Sequence, residues 1–93
     1  MEGLDLATDV KVEEAVRGVL ADVLGLPPER AAAFHDDTPL FGALPELDSM
    51  AVAGVLTELE DRLGITIEDD EVDGEMLETF GALTHFAASK TRA

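Results

Sequence analysis

The charge, length and composition of this chain already exclude several classes of function. Its 93 residues contain six Lys and Arg against 21 Asp and Glu, a formal net charge of −15 at pH 7, so we expect no nucleic-acid partner. A chain this short buries only roughly 60–65% of its unfolded surface, which predicts one modest core and no enzyme cleft. Without cysteine it has no disulfide, no thiolate metal ligand and no cysteine nucleophile, as is usual in a reducing cytoplasm.

The N-terminal residues are acidic and lack the apolar run of a signal peptide. No stretch of the sequence reaches the roughly 18 apolar residues of a membrane span. We therefore expect a cytoplasmic protein. We also expect a monomer and, because a chain of this size has no room for a deep cleft, a protein that is not itself an enzyme.

Apolar residues at helical spacing predict the first long helix. They lie one, three or four residues apart, which places them on one stripe: Val12, Val16, Val19, Leu20, Val23 and Leu24. Thr8 or Asp9 is a candidate N-cap for this helix. Gly25, followed by two prolines, predicts its end, because Gly accepts the left-handed cap conformation and Pro cannot continue the helix.

Residues 26–47 show no long periodic pattern, although residues 29–34 fit a turn or two of helix. A connection of this length in a compact domain is more often functional than accidental. It contains apolar residues that we expect to hold it across the bundle: Leu26, Phe34, Leu40, Phe41, Leu44 and Leu47.

The second long helix is predicted for Ser49–Leu63, with Asp48 as its N-cap and Gly64 as its end. After an extended connector, Val72, Met76 and Leu77 indicate a short third helix that is interrupted or ended near Gly74. Thr79 then caps a last helix. The predicted fold is all-α: a four-helix bundle with three principal helices, a short third one and a long loop between the first two.

Ser49 is the most informative single residue. Its hydroxyl lies at the first turn of the second long helix, where unpaired backbone N–H groups and the helix dipole favour an anion. The simpler interpretation is that Asp48 and Ser49 are ordinary helix-starting residues. The long loop before them and the strongly acidic chain around them favour a functional role.

The residues around Ser49 resemble the acyl carrier proteins. The similarity covers about residues 10–88, and three runs carry it: Asp37-Thr38-Pro39-Leu40-Phe41, Leu47-Asp48-Ser49-Met50 and Leu59-Glu60-Asp61-Arg62-Leu63-Gly64-Ile65-Thr66-Ile67. The family's signature is Asp-Ser-Leu at the start of the second helix. The resemblance implies a single acyl-carrier domain over residues 1–93, with an ordered core at about residues 8–89. It also implies 4′-phosphopantetheine attached covalently to Ser49, with acyl groups carried as thioesters in lipid or polyketide biosynthesis.

The same resemblance implies a set of partners. A phosphopantetheinyl transferase would modify Ser49, with Asp48 helping to hold its Mg²⁺, while a ligase or synthase would load the thiol and an acyl transferase would unload it. Residues 40–50 are similar to a stand-alone subgroup found beside exosortase and exopolysaccharide genes with acyl-CoA ligase-like enzymes. The expected groove for the acyl chain, between the second and third helices, has these residues: Leu56, Leu59, Val72, Met76 and Leu77.

Several residues depart from the family pattern. Met50 replaces the usual Leu, Glu46 stands where the family has Gly, and about two extra residues lie near residues 72–78. Ala51 and Gly54 occupy positions that are often acidic in carriers of fatty-acid synthesis. We expect a specialised carrier whose partner contacts are Leu47, Met50, Ala51, Gly54, Glu60 and Asp61.

Other functions have weaker support in the sequence. Residues 69–74 resemble the first half of a calcium loop, but Phe80 stands where the loop needs its final carboxylate. His35 and His85 lack neighbouring ligands, so we expect no metal site. A serine hydrolase would need a Gly-x-Ser-x-Gly turn and a nearby base. The remaining alternative is an unmodified acidic helical module that binds a basic partner.

Overall fold

Four α-helices and one 3₁₀ turn make up the computed structural model, which describes the backbone of residues 2–92 and the side chains of residues 10–91. The helices are α1 (Glu2–Leu24), α2 (Pro28–Ala32), α3 (Ser49–Leu63) and α4 (Phe80–Arg92). The 3₁₀ turn is Asp69–Glu71. Within the described residues there is no strand beyond an isolated bridge between Pro39 and Thr79. The predicted all-α, four-helix class is confirmed.

Helix α1 buries the predicted apolar stripe, since the side chains of Val12, Val16, Val19 and Leu20 are at most 2% exposed. The helix ends at Gly25, which has a φ of 66° as the left-handed cap requires. The predicted N-cap at Thr8 or Asp9 is wrong, because α1 already begins at Glu2. The side chains of Thr8 and Asp9 lie outside the described part of the chain.

The connection between α1 and α3 is held along its length. Most of the residues predicted to anchor it are buried: Leu26, Phe34, Leu40 and Leu47. Leu44 is half-buried. Arg17 of α1 donates from Nη1 to the carbonyl oxygens of Ala31 (2.6 Å) and Phe34 (3.0 Å). Phe41 is the exception: its side chain remains 48% exposed and contributes little as an apolar anchor.

The second half of this connection lies beside the start of α4. Leu40 and Phe41 donate their backbone N–H groups to the carbonyls of Glu78 and Leu77, at 2.9 and 3.0 Å. In return, Gly81 donates to the carbonyl of Asp36 at 2.9 Å. A Cβ at Gly81 would lie 2.8 Å from that carbonyl oxygen, so the close approach of the two segments requires glycine.

The segment between α3 and α4 differs from its prediction. The helical element is the single 3₁₀ turn, and residues 74–78 form turns where a short third helix was expected. The N–H groups of Leu77 and Glu78 donate to the carbonyls three residues back, at Gly74 and Glu75, both at 3.3 Å. The carbonyls of Leu77 and Glu78 accept N–H groups of the connection instead of continuing a helix. Met76 and Leu77 are nevertheless buried, and Lys90 of α4 holds the 3₁₀ turn through Glu71 at 2.8 Å. Among the described helices, none is long and apolar enough to cross a membrane.

Candidate functional site

Ser49 is the first residue of α3, and the local sequence explains why the helix begins there. Asp48 has an extended backbone (φ −96°, ψ −174°), and its Oδ1 accepts the N–H of Ala51 at 2.9 Å. The carbonyl of Asp48 accepts the N–H of Val52 at 2.9 Å. The predicted N-cap is therefore confirmed. Its carboxylate is turned toward the helix backbone, and Ser49 is left exposed at the helix start.

The backbone around Ser49 suits a negatively charged group. The N–H groups of Ser49 and Met50 have no hydrogen-bond partner within the described residues. Such first-turn amides, together with the positive end of the helix dipole, stabilise an anion close to them. A phosphate ester on the hydroxyl of Ser49 fits this environment.

A small, largely apolar cavity adjoins Ser49. This proximal cavity has a volume of about 260 Å³, and its lining comes from the connection, α3 and the segment before α4: Phe41, Ser49, Val52, Val72, Asp73, Gly74 and Leu77. An apolar chain that starts near Ser49 therefore has a place to leave water without crossing the core.

A second cavity, the distal cavity, lies further along α3. Its volume is about 210 Å³, and its lining residues are Ala53, Leu56, Thr57, Glu60, Ile67, Asp69 and Val72. The carboxylate of Glu60 is engaged there, because Oε2 accepts the N–H of Ile67 at 2.7 Å.

The residues of the expected acyl groove lie in two places: some line the two cavities, and others are buried in the core. Val72, Leu77 and Leu56 line the two cavities. Leu59 and Met76 lie in the core at 0% and 6% exposure and line neither cavity. Sequence reasoning missed Val52 and Phe41 as lining residues, although Val52 lies three residues from Ser49 and therefore on its side of α3.

The exposed side of α3 differs from the predicted partner surface. Met50 is 85% exposed, and Ala53, Thr57 and Asp61 follow it on the exposed side, with Glu60 half-buried beside them. The first two helical turns of this surface therefore carry no charged side chain, and acidic groups begin at its far end.

Three residues expected on that surface lie elsewhere. Leu47 is 3% exposed and belongs to the core. Ala51 is half-buried and packs against the core. A Cβ at Gly54 would lie 3.2 Å from Cγ1 of Val23, so this position faces α1. Their prediction as exposed contact residues is corrected accordingly.

The loop before Ser49 is tied to α2 by an ion pair. Arg30 donates to both carboxylate oxygens of Glu46, at 2.7 and 3.2 Å. The hydrogen bond from Arg30 is the main reason that the pKa of Glu46 lies below its usual range. Glu46 stands where the family pattern has Gly, so in this chain the position is used to hold the loop three residues upstream of Ser49.

Ion pairs outside this loop involve two more basic side chains, Arg62 and Lys90. Arg62 pairs with Asp22 of α1 and Glu58 of its own helix, and Lys90 pairs with Glu71. Because these cations are paired within the molecule, the surface available to a partner is dominated by carboxylates.

A larger cavity of about 500 Å³ lies away from Ser49, between α1, α4 and residue 36 of the connection. Its lining is about half polar and includes Glu13, Asp36, Thr79 and His85. Among the described side chains, no group of three or more His, Asp and Glu residues is arranged to hold a metal ion. This cavity is larger than the proximal cavity, but it lacks the exposed hydroxyl and the unpaired amides found at Ser49. We therefore take Ser49, and not this cavity, as the candidate functional site.

Comparison with known proteins identifies the family. The profile described as "Phosphopantetheine attachment site" matches residues 14–87. The fold matches the solution NMR structure of the holo acyl carrier protein from Nitrosomonas europaea with a TM-score of 0.80 and 42% sequence identity, covering 87% of this chain and 96% of that one. The chain belongs to the acyl carrier proteins. A comparison with curated proteins gives no match.

Membership of this family decides the class of function. Acyl carrier proteins are carriers and not catalysts, and they interact with phosphopantetheinyl transferases and acyl-handling enzymes. Their prosthetic group is covalently attached 4′-phosphopantetheine. The resemblance found in the sequence is confirmed, and the family match disfavours an unmodified interaction module.

Proposed function

We propose that the carrier holds its 4′-phosphopantetheine on Ser49. The observation that supports this most directly is the exposed residue at the start of α3, beside two unpaired amides and the proximal cavity. Ser89 is the other serine of the chain, and its Oγ donates to the carbonyl of Phe86 within α4. Thr79 is engaged as a cap, since its Oγ1 accepts the N–H of Ala82 at 3.0 Å.

Asp48 and Ser49 have different roles in this proposal. The terminal thiol of the prosthetic group supplies the thioester chemistry, and Ser49 supplies the attachment point. Asp48 fixes the first turn of α3, because its Oδ1 accepts the N–H of Ala51. Its remaining negative charge suits a second role, helping to hold the Mg²⁺ of the transferase during attachment.

The acyl chain is sheltered along α3 in our proposal. The proximal and distal cavities offer apolar walls from Val52, Leu56, Val72 and Leu77. Leu59 and Met76, which were also expected in the groove, are buried in the core and line neither cavity. Removing such a chain from water is favourable in proportion to the apolar area buried.

We further propose a specialised carrier, made as one domain over residues 1–93 in the cytoplasm and loaded by a dedicated ligase-like enzyme. The exposed surface of α3 supports this, because Met50, Ala53 and Thr57 offer shape and apolar area near Ser49, while Glu60 and Asp61 offer charge at the far end. Packed apolar contacts set how long a complex lasts, and charges at the rim set how fast it forms.

The attachment is tested by the intact mass of the protein after co-expression with a broad-specificity phosphopantetheinyl transferase. We expect wild type and Ser89→Ala to gain one prosthetic group and Ser49→Ala to gain none. Ser89→Ala is the matched control, since it removes the other serine hydroxyl. Modification of Ser49→Ala would show that the group is attached elsewhere. An unmodified wild type would support the interaction module instead.

A further inference from the structure

Val72 stands at the junction of the two cavities along α3. It lines the proximal cavity together with Val52, and it lines the distal cavity together with Leu56. These two α3 residues are one helical turn apart, so the cavities follow each other along the helix. The Val72 side chain therefore lies between the two cavities.

The backbone holds Val72 at this junction. Its N–H donates to the carbonyl of Asp69 at 3.2 Å, directly after the 3₁₀ turn, and that turn is held to α4 by the ion pair of Glu71 with Lys90. The side chain is half-buried and packs against the core. A β-branched residue has few accessible χ1 rotamers, so it does not swing aside as Met or Leu would.

The volumes of the proximal and distal cavities explain why the position of Val72 between them matters for acyl-chain length. Each cavity, at about 260 and 210 Å³, lies below the roughly 300 Å³ at which ordinary small-molecule pockets begin. Opened into each other, they would exceed that size. The lining of the distal cavity is about half apolar: Ala53, Leu56 and Ile67 offer hydrocarbon surface on one side, and Thr57, Glu60 and Asp69 form the polar side. The Glu60 carboxylate is already hydrogen-bonded to the N–H of Ile67.

We infer that Val72 determines the length of acyl chain that this carrier shelters. Straight-chain acyl groups that fit the proximal cavity are protected from water, and the additional carbons of longer ones remain exposed because Val72 closes the way to the distal cavity. This inference rests on the proposed attachment at Ser49. It concerns the substrate, and it assigns Val72 a role in specificity that the attachment itself does not require.

The test is the thermal stability of carriers loaded with a series of saturated straight-chain acyl groups from butyryl to dodecanoyl. For each variant, the holo form is the reference, so that any loss of stability caused by the substitution itself cancels. We expect the difference in Tm between acyl and holo forms of wild type to rise with chain length and then level off. In Val72→Ala this levelling-off moves to longer chains, by at least about two methylene groups, because the deleted methyls leave space and the distal cavity of about 210 Å³ becomes accessible.

Val72→Phe and Val23→Ala complete the experiment. Val72→Phe narrows the junction, so its plateau comes at shorter chains than in wild type. Val23→Ala is the matched control: Val23 is also half-buried and packs against the core, but it lines neither cavity. It lowers the Tm of holo and acyl forms alike and leaves the plateau in place.

The inference is overturned if the difference in Tm between acyl and holo forms levels off at the same chain length in wild type and all three variants. It is also overturned if Val23→Ala moves that chain length as Val72→Ala does. Neither outcome concerns the attachment, because the intact mass records beforehand that every protein carries its acyl group. Failure of the attachment at Ser49 is visible separately, as Ser49→Ala that still gains the group.

Discussion

Replacing Gly54 by Glu, and separately Ala53 by Glu, compares two neighbouring positions of α3 that point in different directions. Both variants add the same charge to the same helix. Ala53 is exposed, whereas a Cβ at Gly54 would lie 3.2 Å from Cγ1 of Val23 on α1. A glutamate at position 54 must therefore push Val23 aside or move the helices apart.

The size of the effect follows from this contact. Overpacking a well-packed interface costs about 1–3 kcal/mol, and the gain from replacing a mid-helix glycine offsets about 0.5–0.8 kcal/mol of it. The net loss in the free energy of unfolding is therefore about 0.2–2.5 kcal/mol, which corresponds to a decrease in Tm of about 1–20 °C for a domain of this size. Because Ala53 is exposed, the free energy of unfolding of Ala53→Glu should stay within about 0.5 kcal/mol of the wild-type value.

Thermal unfolding followed by circular dichroism at one fixed ionic strength measures both variants. As a further check, Val23→Ala should lower the free energy of unfolding less in the Gly54→Glu variant than in wild type, by at least about 0.5 kcal/mol. The reason is that Val23→Ala removes the side chain that the glutamate contacts. Equal Tm values for Gly54→Glu and Ala53→Glu would refute the placement of Gly54 against α1.

Three further outcomes are expected. Because the net charge is −15, the Tm of wild type should rise with added salt or Mg²⁺, and a flat salt series would show that crowded carboxylates do not limit stability. The hydrogen bond from Lys90 holds the pKa of Glu71 below its usual range, so this pair stabilises the fold above about pH 4.3 and ceases to do so as the pH falls through the folded-state pKa. Thermal unfolding over a pH series should therefore show Glu71→Gln less stable than wild type near neutrality and the difference vanishing in acid; a constant difference would contradict the assignment. Ala53→Glu combined with Thr57→Glu should shift acyl loading toward general fatty-acid enzymes and away from a dedicated ligase, measured as loading rates, and wild type loaded equally by both enzyme sets would argue against a specialised carrier.

The ends of α3 could be predicted because their causes are local. Asp48 caps the first turn with its own side chain, and Gly64, with a φ of 64°, ends the helix wherever it lies in the fold. The family motif at Ser49 is equally local. These features together were enough to predict the fold class and the candidate attachment residue.

The orientation of α3 depends on tertiary packing and was harder to predict. Gly54 has no side chain and so gives no hydropathy signal, yet α1 packs against it. Leu47 and Phe41 are similar in hydropathy and lie in the same connection, but one is in the core and the other is half exposed beside Ser49. A periodic pattern shows that a helix has an apolar side without showing which neighbour covers it.

The segment before α4 was mispredicted for a different reason. Val72, Met76 and Leu77 have helical spacing, but the carbonyls of Leu77 and Glu78 accept the N–H groups of Phe41 and Leu40 in the connection. This contact between distant segments fixes turns in which Met76 and Leu77 are buried. The similarity of residues 40–50 to the stand-alone carriers found beside exosortase and exopolysaccharide genes stays a prediction.

The central claim, that acyl groups are carried on Ser49, is tested most directly by fragmenting the acyl-loaded protein in a mass spectrometer. We expect the peptide that contains Asp48, Ser49 and Met50 to carry the whole added mass, and we expect its fragmentation to release the acylated pantetheine part of the group. The account is contradicted if that peptide is unmodified in a protein whose intact mass shows that it is loaded.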